Sequence, residues 1–219
     1  MRYAALAIAL TACGRIGFDA IGGDAGGSNG SSGSNHAPGD GALGCVSPGI
    51  ADSFDEVMPC QAFGIPIADN AGLSTSAGVL TITLQPNVAA SGGCENDNFA
   101  FGPDGVFVQI GKVPSIGSLR LNVEIAGPAT WAMEVIDESM IDLIQPGDLN
   151  NPQTPYEPWW RMRPLGGVVV WETSPDGLTW TIQRTGDMPA PSSALISIVA
   201  FANDPAPGQA MLDGIDVCP

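Results

Sequence analysis

Apolar and polar residues alternate with a period of two through most of the chain after residue 45. In the clearest run, residues 118–125, every second side chain is Leu, Val or Ile and the intervening ones are polar, which is typical of a β-strand with one buried face. The same alternation, bounded by Gly, Pro, Asn and Asp clusters, predicts strands at 79–84, 106–110, 131–136, 168–173, 180–184 and 195–201. No segment carries a helical stripe, so we expect an all-β domain built as a two-sheet antiparallel sandwich.

A tight hairpin is predicted at Ser174-Pro175-Asp176-Gly177, where Gly supplies the left-handed residue of a type I turn with a bulge. That register sets Glu172 opposite Trp180. It also sends Trp171 and Trp180 to opposite faces, so only one of these two tryptophans should lie in the core.

The segment around this hairpin resembles the central hairpins of concanavalin A-like (LamG or DUF1349-type) jelly-roll domains. It reads Trp-Trp-Arg-Met-Arg at 159–163 and Gly-Gly-Val-Val-Val-Trp-Glu-Thr-Ser-Pro-Asp-Gly-Leu-Thr-Trp at 166–180. Phe54-Asp55 and residues 212–217 are similar to the first and last strands of that family. The resemblance implies two packed sheets with a concave face, in modules that bind glycans, mediate adhesion or serve as structural units.

The N-terminus carries the features of an exported, lipidated protein. Met1-Arg2 precedes a short apolar run, which is too short to span a bilayer. Leu10-Thr11-Ala12-Cys13 then resembles the lipobox of bacterial lipoproteins. The resemblance implies cleavage of a signal peptide at 1–12 and lipid attachment to Cys13, and Gly14 after the cysteine favours sorting to the outer membrane, on its periplasmic or cell-surface side.

A flexible tether is predicted between the lipid and the folded domain. Residues 22–44 contain nine glycines and four serines with hardly any apolar side chain, so they cannot bury enough surface to offset the entropy lost on ordering. As a random coil this segment would extend on the order of 25 Å. We therefore divide the chain into a signal peptide (1–12), a lipidated tether (13–44) and one sandwich domain (45–219), with the membrane as its partner through the lipid.

Charge and composition exclude several function classes. The formal net charge of -16 repels phosphate backbones, which argues against a nucleic-acid partner. No GxGxxG or P-loop sequence is present, so no nucleotide site is expected. The one histidine, His36, lies in the tether, which excludes Ser-His-Asp and Cys-His nucleophile systems from the domain.

Four cysteines follow Cys13, an even number that predicts two disulfides in an exported chain, with three possible connectivities. We favour Cys45 with Cys218, because they lie at the two ends of the domain, and hence Cys60 with Cys94. Zinc binding is the weaker interpretation, since no CxxC pair or domain histidine accompanies the thiols.

Four aspartates near the domain ends would approach one another if the first and last strands pair: Asp52, Asp55, Asp213 and Asp216. Such a group has the oxygen ligands that a structural calcium ion prefers, and solvated edge charge is the simpler alternative. No other cofactor is expected.

Aromatic residues are the main candidates for ligand contacts. Trp159 and Trp160 are adjacent and must point to opposite sides of a strand, so one is expected to pack inside and the other to face outward. With Tyr156 and Arg161 they form the candidate ligand-binding set. The alternatives are that the aromatic residues belong to the core and that Arg161 and Arg163 pair with carboxylates.

Glu134, Asp137 and Glu138 invite comparison with the catalytic strand of concanavalin A-like glycoside hydrolases, where carboxylates at every second position line the cleft. Glu134 and Asp137 are three apart and face opposite ways on a flat strand, and a turn after Ile136 is expected. We therefore expect a non-enzymatic, surface-tethered sandwich that binds a glycan or envelope component. The alternatives are a structural or protein-interaction lipoprotein and a glycoside hydrolase.

Overall fold

The computed structural model describes residues 50–99, 101–125, 130–136, 138–187, 194–203 and 208–218. Cys13, Cys45 and the tether lie outside these residues. Fifteen strands are present among them: β1 (Ile50–Asp52), β2 (Ile65–Asp69), β3 (Ala71–Ser76), β4 (Val79–Leu84), β5 (Ala90–Phe99), β6 (Gly105–Lys112), β7 (Ser118–Ile125), β8 (Thr130–Ile136), β9 (Met140–Ile144), β10 (Gln153–Pro155), β11 (Trp159–Leu165), β12 (Val168–Ser174), β13 (Thr181–Asp187), β14 (Ala194–Ala202) and β15 (Gln209–Cys218). Over the same ranges, no helix suited to crossing a membrane is found.

The strands form two antiparallel sheets. The eight-stranded sheet has the order β13-β12-β11-β6-β15-β4-β3, and β1 pairs with the end of β15 that β4 does not reach. The seven-stranded sheet has the order β10-β9-β8-β7-β14-β5-β2. The prediction of an all-β, two-sheet antiparallel sandwich is confirmed.

The core lies between the two sheets and follows the alternation in the sequence. On β7, the four apolar residues Leu119, Leu121, Val123 and Ile125 are at most 1% exposed. Trp160 and Trp171 are fully buried on the eight-stranded sheet. Each such side chain stabilises the fold by roughly 1.5–3 kcal/mol when it is buried. Burial of the apolar residues therefore determines which face of each strand turns inward.

The predicted strands correspond closely to β4, β6, β7, β8, β12 and β14, and the closing residues 212–217 lie within β15. The predicted opening strand is wrong. Phe54 lies beyond β1 with φ at 55°, because the Asp52 carboxylate accepts the backbone N–H groups of Phe54 at 2.9 Å and Phe63 at 3.0 Å. These two bonds turn the chain out of the strand and direct Phe54 into the core.

The period of two in apolar residues does not predict strand β5, because the sequence of this strand is rich in glycine and polar residues. Strand β5 lies between β14 and β2, and a Cβ atom on Gly93 would lie 1.9 Å from the carbonyl oxygen of Ile198. Glycine is therefore required there for the two strands to approach each other.

Polar contacts connect the edge strand β13 to the opposite sheet. Arg184 donates hydrogen bonds to the carbonyl oxygen of Leu143 and to the Asp148 carboxylate, the latter at 2.6 Å. The indole N–H of Trp131 donates to the carbonyl oxygen of Asp187 at 3.1 Å. These contacts close one open side of the sandwich.

The disulfide between Cys60 and Cys94 is present, as predicted, with Cα atoms 5.6 Å apart. It joins the loop after β1 to the centre of β5, and both cysteines are fully buried. Cys218 is also disulfide-bonded, and its predicted partner Cys45 lies outside the described residues.

Replacing both Cys60 and Cys94 by Ala should lower the free energy of unfolding by about 3–4 kcal/mol, since the bond closes a loop with a sequence separation of 34. Urea unfolding of the double variant beside wild type measures the loss. Ser53→Ala, an exposed change in the same loop, is the control. A loss below about 1 kcal/mol would mean that the bond contributes little.

Candidate functional site

The outer face of the eight-stranded sheet, the face turned away from the core, carries a cluster of charged and aromatic side chains. Strand register places Asp216, Phe107, Arg161 and Glu172 directly opposite one another on four neighbouring strands, β15, β6, β11 and β12. Their sequence neighbours on β11 and β12, such as Trp160 and Trp171, point into the core. The row therefore lies on the outer side of the sheet.

The Glu172 carboxylate is the centre of this cluster. It accepts hydrogen bonds from the Nε of Arg161 and from the Nε and Nη2 of Arg163, the latter two at 2.9 and 3.1 Å. The Glu172 side chain is 3% exposed although it lies on the outer face, because the two arginines cover it. Pairing with carboxylates, one of the two roles considered for these arginines, is the role observed.

The ion pairs keep this buried carboxylate charged. Burial alone would raise the pKa of Glu172, but hydrogen bonds from Arg163 and Arg161 and the charges of both arginines outweigh it, so the pKa lies below its usual range. Burial lowers the pKa of Arg161, and the hydrogen bond to Glu172 raises that of Arg163. The cluster is a desolvated ion triad, which costs stability when one partner is removed.

Trp180 caps the cluster. The guanidinium carbon of Arg161 lies 4.2 Å from the ring centroid of Trp180 and 5.2 Å from that of Phe107. The two rings also contact each other edge to face, with centroids 5.6 Å apart. Arg161 is thus held by its bond to Glu172 and by two cation–π contacts, and Trp180 rests on a fixed support.

The loop between β12 and β13 positions Trp180. Ser174 Oγ accepts the backbone N–H of Gly177 at 2.9 Å, and Asp176 Oδ1 accepts those of Leu178 and Thr179 at 2.9 and 2.8 Å. These bonds lower the pKa of the Asp176 carboxyl, those from the Thr179 and Leu178 backbone most. The loop is therefore a hydrogen-bonded structure that folds back over the outer face.

Gly177 packs against the indole ring of Trp159. Its φ is 71°, and a Cβ atom at this position would lie 2.9–3.0 Å from three ring atoms of Trp159. Only glycine satisfies both the backbone conformation and this contact. One part of the Trp159 ring is consequently covered by the loop, while the side chain stays partly exposed.

The predicted hairpin register is wrong. Glu172 lies opposite Ile182 and Thr173 opposite Thr181, with a bulge between Trp171 and Glu172, so the connection is a six-residue loop and not a tight turn. The serine and aspartate hydrogen bonds of the loop replace the expected turn. The expectation that only one of Trp171 and Trp180 lies in the core is confirmed, since Trp171 is fully buried and Trp180 lies on the outer face.

The four predicted ligand-binding residues do not form one site. Trp159 and Arg161 lie on the outer face, whereas Trp160 is fully buried and its indole N–H donates to the carbonyl oxygen of Glu157. The opposite orientation of Trp159 and Trp160 agrees with strand alternation. Phe107, Glu172 and Trp180 complete the cluster, which we call the Trp180 platform and define as Trp159, Trp180, Arg161, Phe107 and Glu172.

Tyr156 lies apart from the Trp180 platform. It packs against the core, and burial, together with the charges of Glu138 and Asp213, raises the pKa of its hydroxyl to about 12. Burial also raises the pKa of Asp213, whose carboxylate lies against Gly111, where a Cβ atom would be 2.7 Å from Oδ1. Tyr156 is therefore part of a partly buried cluster with acidic neighbours.

The four candidate calcium ligands are not brought together. The first and last strands do pair, but Asp52 lies opposite Ile215 and Asp216 opposite Ala51, so these two side chains point to opposite faces of the sheet. Asp52 is occupied by two backbone amides, and exposed Asp55 accepts a hydrogen bond from Ser53. No group of three or more metal-ligating side chains occurs within the described ranges.

A second polar row crosses the outer face of the seven-stranded sheet. Arg120, Glu134, Asp142 and Gln153 lie directly opposite one another on β7, β8, β9 and β10. Arg120 Nη1 lies 3.9 Å from Glu134 Oε2, and Gln153 Nε2 donates to Asp142 Oδ1 at 2.6 Å. The sequence pattern does not predict this row, because only the register of β8 with β9 brings Asp142 beside Glu134.

This row departs from the catalytic pattern considered for β8. The residues that share a face with Glu134 on this strand are Thr130, Ala132 and Ile136, so no second carboxylate lies two positions away. The chain turns after Ile136, as predicted, and Asp137 lies outside the described residues. Asp142 is a cross-strand neighbour with Cβ atoms expected about 4.5–5.5 Å apart, and this pair is the arrangement closest to paired carboxylate chemistry here.

Comparison with solved structures shows the fold. The chain is similar to the Crh5 transglycosylase in complex with NAG (TM-score 0.54, 11% identity, 80% of this chain and 86% of that chain) and to the apo form of Crh5 (0.54, 12%, 80% and 89%). It is also similar to the Bacillus licheniformis β-glucanase (0.50, 8%, 80% and 99%). No protein-family model matches the chain, and no curated protein matches it. The fold is thus the concanavalin A-like jelly roll of these glycoside-active enzymes.

Replacing Glu172 by Gln should lower the free energy of unfolding at pH 7 by about 2 kcal/mol, because two partly buried guanidinium groups lose their counter-charge. The lowered pKa of Glu172 stabilises the fold above the carboxyl's ordinary pKa, and this contribution is lost as pH falls through the folded-state value. The difference between variant and wild type should therefore shrink below about pH 4.

Urea titrations at pH 7 and pH 3 measure both quantities. Glu124→Gln on β7 of the opposite sheet is the matched control and should change little at either pH. An equal loss at both pH values would show that the ion triad is not its origin.

Proposed function

We propose that this protein is an exported, lipid-anchored, non-catalytic β-sandwich that binds glycans through the Trp180 platform. The single observation that carries the proposal is the support of Trp180: its ring lies on a guanidinium that a buried carboxylate holds in place. Such a tryptophan is ordered before any ligand arrives, so binding costs little further side-chain entropy. Pyranose rings stack on aromatic faces of this kind.

The surroundings of Trp180 suit a ligand larger than one sugar. Leu178 and Ile182, which are 78% and 50% exposed, lie beside the platform in the loop and on β13, and Trp159 within the platform is itself partly exposed. Gln109 lies opposite Trp159 on β6 and offers an amide for hydrogen bonding on the same face. Apolar contacts with a few polar groups are typical of ligand-binding surfaces.

The similar solved structures support a glycan-related role. One is a β-glucanase and another is a transglycosylase in complex with NAG. At 8–12% identity they share the fold with this chain, and their activities do not carry over to it. They do make β-glucans and NAG-containing oligosaccharides the first ligands to test.

Trp180→Ala should weaken glycan binding by about 2 kcal/mol, roughly 30-fold in Kd, because it removes the aromatic face on which the sugar stacks. A panel of β-glucan and NAG oligosaccharides identifies the ligand of the full chain, and calorimetry then gives the Kd. Ile65→Ala, an exposed apolar change on the edge of the other sheet, is the control. Unchanged affinity in Trp180→Ala would move the site elsewhere, and no binding to any glycan would favour the structural or protein-interaction role.

The pair Glu134 and Asp142 favours glycoside hydrolysis as a second candidate function. The same incubations decide between the two by an assay for new reducing ends. We expect none, because β8 carries no second acid on the face of Glu134. Product formation that Glu134→Gln and Asp142→Asn each abolish would make the protein an enzyme.

Lipid attachment at Cys13 sets the proposed location at a membrane surface, with residues 22–44 as the tether. In a bacterial host, intact mass should show loss of residues 1–12 and the addition of acyl chains, and Cys13→Ser should release the protein from the membrane fraction. An unmodified Met1 would contradict this.

A further inference from the structure

Arg161 of the Trp180 platform and its neighbour Arg163 share one carboxylate partner, Glu172. Arg163 directs its Nε and Nη2 at Glu172, and Arg161 directs its Nε at the same carboxylate. The guanidinium carbon of Arg161 lies over the ring of Trp180, 4.2 Å from its centroid, and 5.2 Å from the centroid of Phe107. Both side chains are at most 22% exposed. Three of the guanidinium donors that could recognise an anionic sugar, the Nε atoms of both arginines and the Nη2 of Arg163, are therefore already engaged by Glu172.

The charged side chains around the Trp180 platform carry a net negative charge. Asp104 acts electrostatically on both arginines, and Asp216 continues the row on β15. Two positive charges thus stand against three negative ones, from Glu172, Asp104 and Asp216, and the whole chain carries a formal net charge of -16. An approaching carboxylate or sulfate meets a repulsive field.

A carboxylated sugar that took the Nε donors of Arg161 and Arg163 would have to displace Glu172 from them. That exchange would leave the Glu172 carboxylate buried at 3% exposure without its counter-charges, which is the costly state of a desolvated ion. A neutral pyranose ring needs no such exchange, because it requires only the apolar face of Trp180 and hydroxyl partners around it. The same side chains thus favour one ligand class and reject the other.

We infer that the Trp180 platform binds neutral glycans and rejects acidic ones, and that Glu172 is the residue that determines this specificity. The inference rests on the proposed glycan-binding function and deepens it. Glu172 acts through Arg161 and Arg163 and is a positioning and charge-compensating residue that need not touch the ligand.

The test compares matched ligands on the full chain. Each neutral β-1,3- or β-1,4-glucan hexasaccharide is paired with the same oligosaccharide carrying carboxylates at C6, and affinities are measured at low salt. Wild type should bind the neutral member at least about tenfold more tightly. Glu172→Gln should raise the affinity for the carboxylated member about tenfold relative to the neutral one, and 0.5 M salt should reduce this gain because it screens the attraction between the arginines and the ligand carboxylate.

Two further variants separate charge from structural damage. Arg163→Gln combined with Glu172→Gln removes one charge of each sign and should restore the preference for the neutral ligand. Arg163→Gln alone should leave neutral binding in place and weaken acidic binding further. Glu124→Gln on the opposite sheet is the matched control and should leave the ratio unchanged.

The outcomes distinguish this inference from the proposed function. Acidic binding in wild type as tight as neutral binding, or an unchanged ratio in Glu172→Gln, overturns the inference, and the proposed function stands if Trp180→Ala still weakens binding about 30-fold. Failure of wild type to bind any glycan overturns both.

Discussion

The charged and aromatic cluster on the outer face of the eight-stranded sheet depends on the ion pairs between the Glu172 carboxylate and the guanidinium groups of Arg161 and Arg163. This carboxylate is buried on the solvent side of β12, and two arginines from the neighbouring strand β11 are its hydrogen-bond donors. Without this acceptor, Arg161 would lose the hydrogen bond that holds its guanidinium near Phe107 and Trp180, since a free guanidinium is better solvated in water. The geometry of the aromatic surface therefore follows from one charge in a low-dielectric position.

The loop after β12 places Trp180 over Arg161, which the Glu172 carboxylate holds in position. A tight turn would have paired Trp180 into the sheet, whereas the Ser174 and Asp176 hydrogen bonds hold a longer loop that leaves the strand and covers the cluster. The position of Trp180 over Arg161 is consequently a result of this loop conformation. The seven-stranded sheet carries a separate polar row on its outer face, Arg120, Glu134 and Asp142.

The sequence predicts the sandwich well because burial imposes a period of two wherever one face is wet, as in β7, β8 and β14. It predicts β5 poorly, since Gly93 is selected for close strand approach and leaves no hydrophobic signal. The predicted first strand includes Phe54, which lies beyond β1 in the structure. The Asp52 carboxylate that ends this strand also binds the backbone N–H of Phe63, which is distant in the sequence. Local patterns do not contain such contacts.

The candidate site was only partly predictable for the same reason. Alternation correctly separates Trp159 from Trp160, but the association of Arg161, Glu172 and Trp180 requires the register of three strands and the true length of one loop. Likewise, Asp142 joins Glu134 only through the pairing of β8 with β9. Exclusions based on residue type, such as the lack of a domain histidine, need no such geometry.

The central claim is that glycans stack on the partly exposed tryptophans of the outer face. Indole N–H resonances of the isotope-labelled chain, followed during titration with a neutral β-glucan hexasaccharide, test it most directly. Trp131, Trp160 and Trp171 serve as internal references, because each donates its indole N–H to a carbonyl oxygen inside the fold. We expect saturable shifts of Trp180 and Trp159 alone. Shifts confined to the seven-stranded sheet, or none at saturating ligand, would contradict it.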